Sequence, residues 1–365
     1  MKSNTMPPVE PMTRTLRSGP DAEPYPVQAH HLLCAACVRG GCKNPPCGPA
    51  MIEKLLDVLW SYPHVPLRIC ADTEVVRVHY RKLYEKRGGR FFPRDFKERK
   101  DAFAERRKDL EVCRLLGIYP NTVLPAYHAY QILFSRLRTL EGMCRGLSGD
   151  TSVWPECPCS GEGFYERIAG TAREISYEEQ WKRGEQLAGE GIWAIIRPRT
   201  HAEMKGEKER SAAFIINKAG RLYIRPNHLL CILCTRKMEV LVQDNLVELR
   251  MRMEADPDIP VTLVEGCCMV CDPCNVYHAG EHLCYSTHPK NILRDLRMLE
   301  ILGLPPGATL PARRLYKLIF DKIPDVKTVC GWGDGSNTSP FWKPCADYQS
   351  AAVKDARKEG FLQSG

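Results

Sequence analysis

The chain has 365 residues, 52 Lys and Arg against 44 Asp and Glu, a formal excess of +8, and 18 cysteines. An apolar fraction of 44% with 26% charged residues excludes a wholly disordered chain, because enough apolar surface is present to build cores. Length alone predicts two or three domains.

The longest apolar run, 32–38, falls far short of the about 20 residues a bilayer span needs, and residues 1–26 carry no secretory apolar stretch. A cytoplasmic protein without a membrane partner is expected. In that compartment disulfides are a poor account of 18 cysteines, so metal binding becomes the expected use.

Residues 1–27, rich in Pro, Ser and charge, are expected to form a disordered arm. From there the chain repeats itself. His31-Leu32-Leu33-Cys34-Ala35-Ala36-Cys37 returns as His228-Leu229-Leu230-Cys231-Ile232-Leu233-Cys234. Residues 109–144 align without a gap on 295–330, with 11 identities in 36 columns, and Trp154-x2-Cys157 matches Trp342-x2-Cys345. The expected organisation is a tandem duplication: Cys-rich repeats at 28–165 and 226–350, a connector at 166–225 and a tail at 351–365.

Each repeat carries the same plan. A Cys-bearing opening leads to an amphipathic helix (51–62; 236–254) and a short strand (65–70; 259–264). A helix ending in Leu-Gly follows (98–117; 288–303), where glycine suits the C-cap. The next opens at Leu-Pro-Ala (125–140; 311–323), where proline suits the first turn. In the connector, 162–189 reads as helical, 193–197 as a strand, and 213–217 with 221–225 as a hairpin around Ala219-Gly220. The fold class is therefore expected to be α+β and helix-rich, two copies of one Cys-rich helical unit joined by a β-containing connector.

Four cysteines recur in both copies: Cys34, Cys37, Cys144 and Cys157 against Cys231, Cys234, Cys330 and Cys345. Four thiolates, two of them on a C-x2-C whose spacer lets both sulfurs face one ion, suit one tetrahedral metal or one cubane cluster. The first copy adds Cys42 and Cys47, making 34–47 a self-sufficient four-thiolate loop turned by Gly40, Gly41 and Pro45-Pro46. The second carries Cys267-Cys268-x2-Cys271-x2-Cys274-x9-Cys284.

The C-x2-C-x2-C core resembles the cysteine run of bacterial-type ferredoxins, where three thiolates on one loop take three corners of a [4Fe–4S] cube. The nearby fourth Cys followed by Pro is missing, so Cys284, Cys267 or a repeat cysteine would complete the set. Zinc sites present thiolates as two separated pairs, so Cys268, Cys271 and Cys274 favour [4Fe–4S], with zinc as the alternative. Cys70 and Cys113, aligned with Val264 and Leu299, are expected in the core, and Cys159 reads as a spare. His31 and His228 precede the first ligand of each copy by three residues. Each can ligate a metal, donate to a sulfur, or serve as a structural histidine. Trp154 and Trp342 would shield a site or join the core.

At Arg225-Pro226 followed by His228-Leu229-Leu230-Cys231, the sequence resembles a small uncharacterised family of prokaryotic proteins opening on R-P-H-H-L-L-C. The resemblance continues through 261–266, Cys271-x2-Cys274, Cys284, 295–304 with Pro306-Gly307, and Cys330, covering most of 221–332. The first copy matches less closely, through His30-His31-Leu32-Leu33-Cys34 and 109–144. Asn227 stands where the family has the first His of its pair. The family is suspected of iron–sulfur binding and has no settled activity, so the resemblance implies cluster binding and nothing about reaction.

No G-x-G-x-x-G after a strand, Walker loop or H-E-x-x-H occurs. Residues 77–108 hold 13 Lys and Arg against five Asp and Glu, a local +8, interleaved with Tyr80, Tyr84, Phe91, Phe92, Phe96 and Phe103. Such a segment can bind nucleic acid or an acidic protein, and its plainer reading is a solvated helical face with i,i+4 charge pairs. The expected function is a cytosolic iron–sulfur protein with several clusters, relaying electrons or sensing redox state with a redox partner protein. The alternatives are a zinc-stapled module that binds nucleic acid or protein, and an iron–sulfur enzyme with one iron open to substrate.

Overall fold

The computed structural model describes residues 23–62, 65–71, 96–140, 157, 159, 161–173, 175, 177–274, 277–278, 283–284, 288–331 and 344–363. Its first part runs β1 (Tyr25–Gln28), α1 (Ala29–Arg39), α2 (Pro49–Ser61), β2 (Pro66–Cys70), α3 (Phe96–Leu116), β3 (Thr122–Pro125) and α4 (Ala126–Arg136). β1 pairs parallel with β2, and β2 antiparallel with β3, Pro66 standing opposite Pro125. Proline cannot donate to a ladder, so it is confined to the ends of such pairings.

α5 (Phe164–Ala169), α6 (Tyr177–Arg183) and α7 (His201–Asn217) lead to a second sheet. There β4 (Leu222–Ile224) is followed by α8 (Pro226–Cys234), α9 (Leu246–Ala255) and β5 (Pro260–Leu263). A two-stranded hairpin, β6 (Tyr277–His278) with β7 (Leu283–Cys284), precedes α10 (His288–Leu302), β8 (Thr309–Pro311) and α11 (Ala312–Lys322). The chain closes with α12 (Lys327–Cys330) and α13 (Ala352–Lys358). β4 pairs parallel with β5 and β5 antiparallel with β8, Pro260 opposite Pro311. The fold is α+β and helix-rich.

Aligned residues are used alike in the two parts. The first-turn N–H groups of a helix have no partner within it and need an outside acceptor. Asp109 accepts from His30 N at 3.0 Å, and Asp295 from Asn227 N at 2.9 Å. Gly117 and Gly303 end α3 and α10 at φ +65° and +70°, a left-handed conformation that only glycine adopts without strain. Tyr130 stacks on Phe134 at 6.0 Å, Tyr316 on Phe320 at 6.2 Å.

Two hydrophobic cores result. One gathers Leu32, Leu59, Ile69, Leu116 and Tyr130; the other Leu229, Leu249, Val261, Met298 and Tyr316. Each large apolar side chain fully buried contributes about 1.5–3 kcal/mol, which is what fixes helices to such short sheets. Cys274 and Cys284 pack against both cores. Cys70 and Cys113 are buried, as expected of core thiols.

Several expected elements differ. Residues 25–27 belong to β1, paired with β2, rather than to an arm. The helix expected over 236–254 begins at Leu246, after Asn245 has been buried with its amide donating to Ser211 Oγ and Met269 O. The expected strand at 193–197 opens instead as a 3-10 turn, Gly191–Ala194. The expected hairpin around Ala219-Gly220 is not formed, because 213–217 closes α7 and β4 pairs with β5. Pro125 and Pro311 are the last residues of strands, one position before their helices. The tail folds: α13 buries Val353 and Ala356 in the second core, and Arg236 grips Glu359.

No described helix is long and apolar enough to cross a membrane. Cys144, Trp154, Trp342 and residues 77–95 of the basic segment lie outside the described residues.

Candidate metal centre

Pro226 opens α8, and its pre-set φ suits the first turn. The helix then carries His228, Cys231 and Cys234 within two turns. α12 ends on Cys330, and the segment after 344 brings Cys345, whose N–H donates to Cys330 O at 3.4 Å. These four cysteines come together from three stretches of chain. Burial, then the neighbouring charges of Cys330, Cys234 and Cys345, push the Cys231 thiol well above its ordinary range. Burial likewise raises Cys330 to about 12, although the Arg294 guanidinium beside it acts the other way. Cys234 is raised by burial, and Ser350 Oγ lies 3.5 Å from its sulfur. Thiols held up in this way become thiolates readily only when a cation sits among them.

A second group lies beside the first. His228 Nδ1 is 3.2 Å from Cys268 Sγ. The donor atoms of His228, Cys268 and Cys271 all lie within 4.8 Å of one another, a group able to hold a metal ion and the one trio set so closely among the described residues. Cys267 and Cys268 both hydrogen-bond to Cys271, which those bonds hold well below an ordinary thiol. Cys284 is an electrostatic neighbour of Cys267.

The loop is pinned from its backbone. Cys271 N donates to Cys268 O and Cys274 N to Cys271 O, each at 2.8 Å. Arg199 donates to the carbonyls of Asp272 and Cys274 at 3.0 and 2.6 Å. Burial lowers His228 to about 4. Arg294 acts electrostatically on His228, Cys231 and Cys330 alike, which makes the two groups neighbours. Cys274 is not part of the close trio; its packing is on both cores.

In the first part, Cys34, Cys37, Cys42 and Cys157 line one cavity with His30, Pro45 and Pro46. Cys47 hydrogen-bonds to Cys34, which lowers its own thiol. The self-sufficient 34–47 loop is corrected at Cys42, which forms a disulfide with Cys159 and so offers no thiolate. The cause is the path of the loop. A side chain at Gly40 would collide with the Phe164 carbonyl, so glycine lets the loop lie against α5, near the segment that supplies Cys159. Cys159, read as a spare, is the partner that spacing could not name.

His30 sits at the cavity wall in a buried network, Nδ1 2.7 Å from Asp109 and Nε2 2.8 Å from Glu105, which also holds Lys108 at 2.6 Å. Burial would lower His30, but the two carboxylates win and raise it to about 9. His31 stays next to it, 4.5 Å between rings, lowered by burial and by the His30 charge. Lys108, from the basic segment, is buried rather than on a solvated face.

Three of these groups escaped sequence reading, Asp109, Asp295 and Glu105, while Arg225 reads only as part of the motif and not as a partner of Asp295. The signal that could have found two of them is that Asp109 and Asp295 head the gapless block. Arg225 is 1% exposed and forks onto Asp295 at 2.8 and 2.7 Å, beside Cys268 and Cys271. Comparison with family models, with curated proteins and with solved structures returns no match.

Proposed function

We propose that the protein is an internally duplicated, cytoplasmic iron–sulfur protein that relays electrons or senses redox state through its repeated cysteine sets. The observation that carries this reading is the gathering of Cys231, Cys234, Cys330 and Cys345 from three stretches of chain into one place, with Cys330 buried and the other three half-buried. Burial raises three of these four thiols, so they would turn into thiolates together only around a cation that compensates the charge. A cube suits the set better than one ion. Among the described residues no three of these thiols form a trio within 4.8 Å, and cysteines on separate iron corners stand wider apart than ligands of one ion.

Cys34, Cys37, Cys144 and Cys157 would form the counterpart; three of them line one cavity. The shared strand order, the paired prolines and the twin Asp109 and Asp295 contacts support a duplication. Kinship with the R-P-H-H-L-L-C proteins fits as well, since the motif's Arg, second His and Cys are Arg225, His228 and Cys231. The local +8 of residues 77–108 would dock an acidic redox partner.

Purification without oxygen tests the reading. Broad visible absorbance with stoichiometric iron and acid-labile sulfide is expected, and Cys231→Ser should lower iron and sulfide together. Colourless protein carrying zinc alone would overturn it.

A further inference from the structure

We propose that His228, Cys268 and Cys271 hold a single divalent ion of the zinc class, separate from the Cys231 set, with Cys267 as the fourth donor that completes the tetrahedron. This site stands whether or not the Cys231 set carries a cluster. Three thiolates and one imidazole are a complete donor set for zinc, with Zn–S near 2.3 Å and Zn–N near 2.0–2.1 Å. A tetrahedron with those bonds has edges of roughly 3.5 Å. His228 and Cys268 lie 3.2 Å apart and the close trio is bounded by 4.8 Å, while Cys267 stands just outside that trio, hydrogen-bonded to Cys271. That spacing is tight for the corners of a cube and right for one ion. Cys267 and Cys268 are buried and Cys271 is 9% exposed, with His228 half-buried at the edge, so four protein donors would fill the site and leave no position for substrate, the mark of a structural metal.

Charge balance points the same way. Three thiolates around a dication leave one net negative charge. The Arg225 guanidinium lies beside Cys268 and Cys271 and is oriented by Asp295. A cation fixed outside the ligands by a carboxylate is the outer support such centres use. The ion would pin the start of α8 to the 267–271 loop. A ferredoxin-like run would use Cys268, Cys271 and Cys274 together. Here His228, from a helix about 40 residues earlier in the chain, enters the trio, and Cys267, which stands outside it, joins by a side-chain hydrogen bond to Cys271.

The test uses the full chain, purified without oxygen, with elemental analysis and cobalt(II) as the optical probe. Wild type should hold one zinc per chain beyond its iron. After exchange, cobalt should give the visible bands of a tetrahedral thiolate site. Cys268→Ser and Cys271→Ser should lose that ion and keep the iron, sulfide and visible absorbance, whereas Cys231→Ser should do the reverse. His228→Cys, which keeps four donors, should retain the ion with a shifted cobalt spectrum, so a loss through misfolding of the serine variants does not hide the site. Zinc unchanged in both serine variants, or absent from wild type with no cobalt bands, overturns the proposal. Iron and colour lost from Cys268→Ser and Cys271→Ser while zinc remains would also overturn it, since the run would then hold the cluster. Zinc without any iron in wild type sinks the iron–sulfur reading alone and leaves this site standing.

Discussion

Asp109 and Asp295 do the same work with different partners. Each carboxylate is buried, takes the N–H that opens a helix, and neutralises one basic side chain, His30 in the first part and Arg225 in the second. For Asp295 the burial penalty exceeds the pull of Arg225, and its carboxyl is raised to about 6. Removing one half of a buried ion pair leaves the other half uncompensated. Asp295→Ala should therefore destabilise the chain by about 3–5 kcal/mol in urea unfolding, because Arg225 has nowhere to go. Lys317→Ala, which breaks an exposed i,i+4 pair with Asp321, should change it by less than about 0.5 kcal/mol. Equal losses in the two variants would show that Arg225 finds another partner.

The His30 network has a pH signature of definite sign. His30 is raised from 6.5 to about 9, so its pairing stabilises fully below pH 6.5 and is lost as pH rises through 9. Glu105 is held down to about 2: burial opposes, but the bonds from His30 and Lys108 prevail. Its contribution is present above pH 4.5 and vanishes only toward pH 2. The stability difference between wild type and His30→Gln should thus hold level from pH 5 to 6.5 and shrink by on the order of 2 kcal/mol toward pH 10. A difference that grows with pH would contradict the assignment. None of this was legible from sequence, where an Asp in a helix does not say which N–H it will meet 68 or 79 residues away.

At the scale of elements, patterns resting on local chemistry were readable. The two Leu-Gly helix ends and the two strands near 65 and 260 follow from capping and β-branched runs, and they form. What failed was a short apolar run, since four or five apolar residues do not distinguish a strand from a buried helical turn. Ala213, Phe214, Ile215 and Ile216 looked extended. The deciding signal stood thirteen residues upstream of Ala213: Thr200 and Glu203 form a capping box, Thr200 Oγ1 accepting from Glu203 N at 3.1 Å and Glu203 from Thr200 N at 2.7 Å. α7 then buries Ile215 in the second core. Thr200→Ala should cost about 1 kcal/mol, seen as a lower urea midpoint with unchanged slope. An unchanged midpoint would mean that packing alone holds α7.

Over the whole molecule, cysteine spacing told which thiols could share a loop, while their convergence depends on three segments meeting. The tail shows it best, because 344–363 is held twice over. Packing is one hold: α13 lies on α8, Arg357 donates to the carbonyls of Phe320 and Ile323, and Phe361 meets Tyr316 edge-on at 5.0 Å. The other passes through sulfur, with Cys345 beside Cys330 and Cys231, and Ser350 against Cys234. With the proposed metal in the Cys231 set, stripping it removes the second hold and leaves the first. Amide exchange at 345–350 should then rise by on the order of tenfold, about 1.4 kcal/mol of local opening, while β5 and α13 keep their protection. Exchange that rises equally over α8, α13 and β5 would show that the metal holds up the whole second core. No change at 345–350 would show that Cys345 is not among its ligands.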